Sequence, residues 1–271
     1  MFAGGPWTSG KKKGFFQVQS TIPIGTYNKL FHFEGKDKTI YLNRNVLDFT
    51  ALTYFEYGLF DKLDIYGTIP FKFVSTSAGM SEVAFKSYAT FLKEGNLSGF
   101  SNLQLNFKYQ LTNKSIISAI TLKTSLNNAV HDLEKGLSTG YKSNAIGGGI
   151  FIGKSFNEKL YAFIESYFLK RDNNFSDEYD INLEIGYKIK PKLWLMFVLD
   201  NKKSMFNGTY FNINLEQTGL YTNNQEFFAY GLKGAYNLSD KSGINFSTFG
   251  ALSGNRVAHL ATLNLGWFKK F

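Results

Sequence analysis

The 271 residues carry 30 Lys and Arg against 21 Asp and Glu, a formal charge of +9, with 28 Phe, 16 Tyr and no Cys. The lack of cysteine excludes a disulfide framework, a zinc–cysteine site and a thiol nucleophile. A membrane-crossing helix needs about 18 continuous apolar residues, and the best run, Leu193-Trp194-Leu195-Met196-Phe197-Val198-Leu199, is far shorter.

The opening Met1-Phe2-Ala3-Gly4-Gly5-Pro6-Trp7 is too short and glycine-rich for a charged region followed by an apolar core. Residues 1–13 are therefore expected as a leader that can fold inward, ahead of a strand near 14–24. Five strand–turn–strand units follow in chain order, with tight turns at Leu59-Phe60-Asp61-Lys62-Leu63, Leu111-Thr112-Asn113-Lys114-Ser115-Ile116 and Phe156-Asn157-Glu158-Lys159-Leu160, then Ile189-Lys190-Pro191-Lys192-Leu193 and Leu238-Ser239-Asp240-Lys241-Ser242. Asn, Asp and Pro supply the turn geometry, and the flanks alternate with the period of two that a half-exposed strand requires.

Phe49, Phe55, Tyr57 and Leu59 share one face, opposite Asp48, Thr50, Glu56 and Gly58. The returning strand sets Leu63, Ile65, Ile69, Phe71 and Phe73 against Asp64, Tyr66, Thr68 and Lys72. Leu103, Leu105, Phe107 and Tyr109 oppose Gln104, Asn106, Lys108 and Gln110, and Tyr179, Ile181, Leu183, Ile185 and Tyr187 oppose Asp180, Asn182, Glu184 and Lys188. Longer connections lie near 25–43, 75–99, 127–143, 171–178 and 201–225, with a shorter one near 252–256 and a last strand over 256–271. Short turns at one end, long loops at the other and one nearly uncharged face predict an all-β chain: a closed transmembrane antiparallel β-barrel of about twelve strands over 14–271.

The last strand, Leu263-Asn264-Leu265-Gly266-Trp267-Phe268-Lys269-Lys270-Phe271, resembles the C-terminal signature of bacterial outer-membrane β-barrel proteins. Lys269 departs from that pattern, standing where an apolar residue is usual. Gly4-Gly5-Pro6-Trp7 and Tyr66-Gly67-Thr68-Ile69-Pro70 look like porin-like transport proteins. The resemblance implies the outer membrane of a Gram-negative bacterium, outer-membrane lipid as surroundings, and Leu265, Trp267 and Phe271 as an insertion signal read by the barrel-insertion machinery. It also implies short turns on the periplasmic side, which makes residues 1–13 a periplasmic leader.

Two constellations stand out. Lys62, Lys114, Lys159, Lys190, Lys192 and Lys241 mark the tight turns and suggest a periplasmic basic collar for phospholipid head groups or an acidic protein partner. Plain turn solubility explains the same lysines. Asp48, Glu56, Asp64, Lys72, Lys108, Lys123, Glu165, Asp180, Glu184 and Lys188 face the lumen in the alternating pattern. They suit either a selectivity field for solutes or a salt-bridged filling of a narrow barrel. Tyr161, Phe163 and Tyr167 fall on the Glu165 face and make part of that interior aromatic.

Other chemistry finds little support. The oxygen-rich segment 172–180 lacks the spacing and glycine of an EF-hand and reads as a solvated turn. His32, His131 and His259 belong to no recognisable hydrolase motif, and the His131-Asp132 adjacency does not make a triad. Gly147-Gly148-Gly149 lies within a strand pattern and suits a close approach at the wall, not a phosphate cradle. With lysines spread along the chain and no DNA- or RNA-binding motif, the charge implies no nucleic acid. The expected function is a porin-like channel or passive transporter for small solutes, without catalysis, cofactor or metal. The alternative is a non-conducting structural subunit of a larger outer-membrane protein complex.

Overall fold

The computed structural model describes residues 4–32, 39–84 and 92–271. Its strands are β1 (Gly14–Pro23), β2 (Tyr27–Phe31), β3 (Thr39–Phe60), β4 (Leu63–Thr76), β5 (Gly95–Phe100), β6 (Leu103–Asn113), β7 (Ile117–Leu126), β8 (His131–Asp132) and β9 (Leu137–Ser138). They continue with β10 (Ala145–Ser155), β11 (Leu160–Arg171), β12 (Glu178–Lys190), β13 (Leu193–Ser204), β14 (Glu226–Asn237), β15 (Ser242–Asn255) and β16 (Thr262–Lys270). One short helix, α1 (Ile213–Thr218), lies between β13 and β14.

The sheet closes because β1 pairs antiparallel with β16 on one side and with β3 on the other. β2 continues β1 along β3, and β5 continues β6 along β4, so the closed antiparallel wall has 12 strands. The break between β1 and β2 falls at Pro23 and Gly25, the latter at φ 100°. Proline has no N–H for the ladder, and glycine takes that backbone angle at little cost.

All five tight turns gather at one end. Asn157 Oδ1 accepts from the N–H groups of Lys159 and Leu160, and Ser239 Oγ accepts from those of Lys241 and Ser242. These local bonds satisfy backbone donors that the ladder cannot reach. Register shifts at Gly58/Phe60, Gln110/Thr112 and Lys188/Lys190 sit just before three of the turns and twist the chain into them.

The alternation separates two surfaces. Ile120, Leu122, Ile150, Ile164, Ile185, Leu195, Leu232 and Leu265 are exposed on the outer face, with Tyr109, Tyr187, Tyr236 and Trp267 nearer the turn end. An outward apolar band edged by aromatic rings is what a lipid bilayer requires of a barrel. No described helix is long and apolar enough to cross a membrane.

Several boundaries differ from expectation. β3 begins at Thr39, inside the loop expected near 25–43, and β16 begins at Thr262 instead of 256. β13 runs to Ser204, and the connection after it contains α1, which is capped by Asn212 accepting from Asn214 N and Leu215 N and ended by Gly219 at φ 66°. A helix of under two turns leaves no periodic signal in sequence. The 127–143 connection contains the β8–β9 hairpin. Parts of the first two expected loops, 33–38 and 85–91, lie outside the described residues, as do residues 1–3.

Candidate functional site

The inside of the wall is built in three tiers. At the turn end, Trp7, Phe15, Ile117, Tyr161, Met196, Ala235 and Phe268 form a buried apolar cluster. Trp7 belongs to the leader, and its ring meets Tyr161 and Phe163 edge-on at 5.6 and 6.0 Å. Residues 4–9 thus run inside the barrel, and Lys11, Lys12 and Lys13 are exposed at its turn end. Gly58 makes room for the leader, since a Cβ there would come 2.0 Å from Gly10 O.

Above this cluster the charges converge. Lys108 Nζ lies 2.9 Å from Glu56 Oε1 and 3.9 Å from Asp64 Oδ2, and donates to Gly5 O at 3.2 Å. Ser9 N donates to Asp64 Oδ2 at 2.7 Å, and Tyr54 hydroxyl to Glu56 at 2.6 Å. The leader is therefore held by the same carboxylates that neutralise Lys108. A second group lies on β7, β11, β12 and β14. Lys123 sits 2.5 Å from Glu165 and 3.5 Å from the centre of the Tyr167 ring. Glu184 accepts from Tyr161 hydroxyl at 2.7 Å and from Lys233 at 2.8 Å. Asp180 is buried beside this group.

Towards the loop end, Lys72 holds Asp48 at 2.6 Å and lies 5.0 Å from the Tyr221 ring. Glu178 joins Arg171 and Lys202. The loops close over Tyr27, Leu30, Leu42, Val46, Val74, Leu92, Leu137 and Leu220, which are all buried.

Of the ten charged positions expected to face the lumen, seven join one another, in Asp48–Lys72, Lys123–Glu165 and the Glu56–Lys108–Asp64 group, while Glu184 meets Lys233 and Asp180 has no ion pair of its own among the described residues. Lys188, near the turn end, lies over the Trp194 ring. Arg171, Glu178, Lys202 and Lys233 belong to the same networks, and alternation alone points them inward. Sequence reasoning passed over them because three lie at strand ends and Lys233 sits among small residues. Its larger omission is a neutral, amide-lined wall opposite the charges. Gln17 donates to Gln19, Gln19 to Asn264, and Asn264 to Ser247.

Between the charged and neutral sides lies a cavity of about 290 Å³, bordered by Glu184 and Lys233, by Gln17, Gln19 and Asn245, and floored by Met196 and Phe268. It can offer a solute one cation–carboxylate pair, several amides and an apolar base.

The remaining expectations resolve locally. The six turn lysines are exposed at one end. Leu265 and Trp267 are on the outer face, and Phe271 stacks 6.4 Å from Tyr57. Asp172 accepts from Asn144, and Asp177 from Arg171 N and Asn207, so both carboxylates brace loops. No cluster suited to a metal ion occurs among the described residues. His259 packs 4.3 Å from the Phe31 ring, and His131 meets Ser138 in the β8–β9 hairpin. In the glycine run, a Cβ on Gly149 would reach within 2.4 Å of Tyr167 Cβ, so this is a close approach at the wall.

No family model matches the chain, and no curated protein does. Among solved structures it superposes on the COG4313 outer membrane channel from Pseudomonas putida F1 with a TM-score of 0.74 and 15% identity, over 100% of both chains. The chain has the outer-membrane β-barrel fold. A porin, KdgM, solved with disordered oligogalacturonate, matches with a TM-score of 0.55 and 6% identity over 95% of this barrel and 99% of that chain. The beta domain of the Bordetella autotransporter Brka matches at 0.53 and 9% identity, over 96% of this barrel and 100% of that domain. The apolar belt of the barrel fits the outer membrane of a Gram-negative bacterium, in which proteins of this architecture lie.

Proposed function

We propose that the protein is an outer-membrane channel or passive transporter for small solutes. The observation that carries this reading is the cavity between the Glu184–Lys233 pair and the amide wall, placed in the lumen between the leader below and the loops above. Solid packing of the interior would leave no such space. The two best-superposing structures named above are a channel and a porin, which is consistent with the reading. In the same reading the paired lumen charges tune which solutes pass, the turn lysines meet head groups on the periplasmic side, and Leu265, Trp267 and Phe271 serve insertion.

Conductance of the purified protein in a planar lipid bilayer tests it. Discrete current steps, altered in ion selectivity by Lys233→Glu, are expected. An absence of current from folded protein that co-purifies with partner proteins would instead make the barrel a structural subunit.

A further inference from the structure

The cover of large side chains on the outer face of the barrel is interrupted where β1 runs between β16 and β3. In the strand register Ser20 lies between Leu265 and Ala51, and Val18 lies between Trp267 and Thr53. Across β4, Ala51 faces Phe71 and Thr53 faces Ile69, and Phe71 in turn faces Phe100. Ser20, Ala51 and Thr53, with Val18 beside them, therefore form a floor between two higher banks. The bank on β4 is braced by ring contacts, Phe71 standing edge-on to Phe100 at 5.3 Å and to Phe73 at 5.1 Å. The result is a furrow of about 410 Å³ on the lipid side of the wall.

Lys269 stands one row beyond its lower end, on the strand of the Trp267 bank and beside Phe16 and Phe55. It is on the same face of β16 as Leu265 and Trp267, two residues beyond Trp267 and opposite Phe16, and it is exposed. At roughly 3.4 Å per residue its Cα lies about 7 Å from that of Trp267, towards the turn end. This is the residue that breaks the apolar pattern of the last strand. An apolar channel that leads to a cation at the membrane boundary matches one kind of neighbour, a hydrocarbon chain that ends in a phosphate.

We propose that the furrow seats an acyl chain of a glycerophospholipid whose phosphate is held by Lys269. In a bilayer the gain comes from packing, because lipid already covers apolar surface and only a close fit adds contacts. A furrow narrower than four strands admits a chain but not the curved wall of another barrel. A two-fold contact between copies would set this concave patch against itself and leave a void.

Native mass spectrometry of the full chain in detergent micelles tests this, with a palmitoyl-oleoyl phosphatidylglycerol and the matching diacylglycerol as probes. The wild type is expected to retain one phosphatidylglycerol more tightly than diacylglycerol. Lys269→Leu should weaken the phospholipid about fivefold, the equivalent of one lysine at a lipid surface, and leave diacylglycerol unchanged. Ala51→Phe, which fills the floor, should weaken both. Ser20→Leu serves the same purpose should the first variant not fold, as judged by heat-dependent electrophoretic migration. Unchanged retention in a folded floor variant overturns the proposal, as does equal retention of the two probes by the wild type. A concentration-dependent dimer that the floor variant abolishes would overturn it in favour of a contact between copies.

Discussion

Lys108 and Glu56 meet at 2.9 Å inside the barrel, on strands separated by β4, with both side chains almost fully buried. The pair also fixes the leader, through Gly5 O on the lysine and Gly4 N on the carboxylate. Structure at the wall and obstruction of the lumen are thereby joined in one network.

Removing one partner of such a pair leaves an uncompensated buried charge, which costs about 3–5 kcal/mol. Lys108→Met should lower the stability of the refolded barrel by that order, because Glu56 and Asp64 then face each other without a cation. Urea unfolding in lipid vesicles, followed by tryptophan fluorescence, measures it. A loss under about 1 kcal/mol would mean that water neutralises the site.

The leader narrows the lumen at the turn end, where Trp7 packs on Tyr161 and Phe163. Deleting residues 4–13 should enlarge single-channel current steps, and Trp7→Ala should do so less. Steps of unchanged size would show that the restriction lies under the loops.

The outer face sets a different test. Ile150 lies at the middle of β10 and points to lipid. Ile150→Arg should destabilise the barrel by about 2–4 kcal/mol, the cost of arginine near the bilayer midplane. Gly148→Ala, on the same face, should cost much less, since a Cβ there finds its nearest neighbour at 3.5 Å. Equal effects in vesicle unfolding would contradict the assignment of this face.

The β8–β9 hairpin carries a pH dependence. Ser138 Oγ donates to Gly140 O, so the His131 Nδ1 at 2.9 Å donates to that oxygen and the buried Nε2 has no hydrogen-bond partner. Protonation would place an N–H there with nothing to accept it. Burial, and secondarily Lys142, accordingly hold the ring below its ordinary value of 6.5. The folded pKa is depressed, so the unfolded hairpin binds the proton first. Stability present above pH 6.5 is lost as pH falls through that value and towards the lower folded one. Amide exchange of residues 131–140 should quicken on acidification, and His131→Gln should flatten the dependence.

The sequence by itself determined the barrel. Alternation such as Tyr179–Ile189 against Asp180–Lys188 specifies which face meets lipid, because a one-residue shift would reverse every side chain. Asx and Lys at the turns set the hairpins and the inequality of the two ends by local geometry alone. Tertiary structure decided what the lumen contains. The pairing of Lys108 with Glu56, the threading of Trp7 beneath Tyr161 and the facing of the amide wall with Glu184–Lys233 join residues far apart in sequence. Their distances depend on the shear at which the strands close, and no local pattern carries that number.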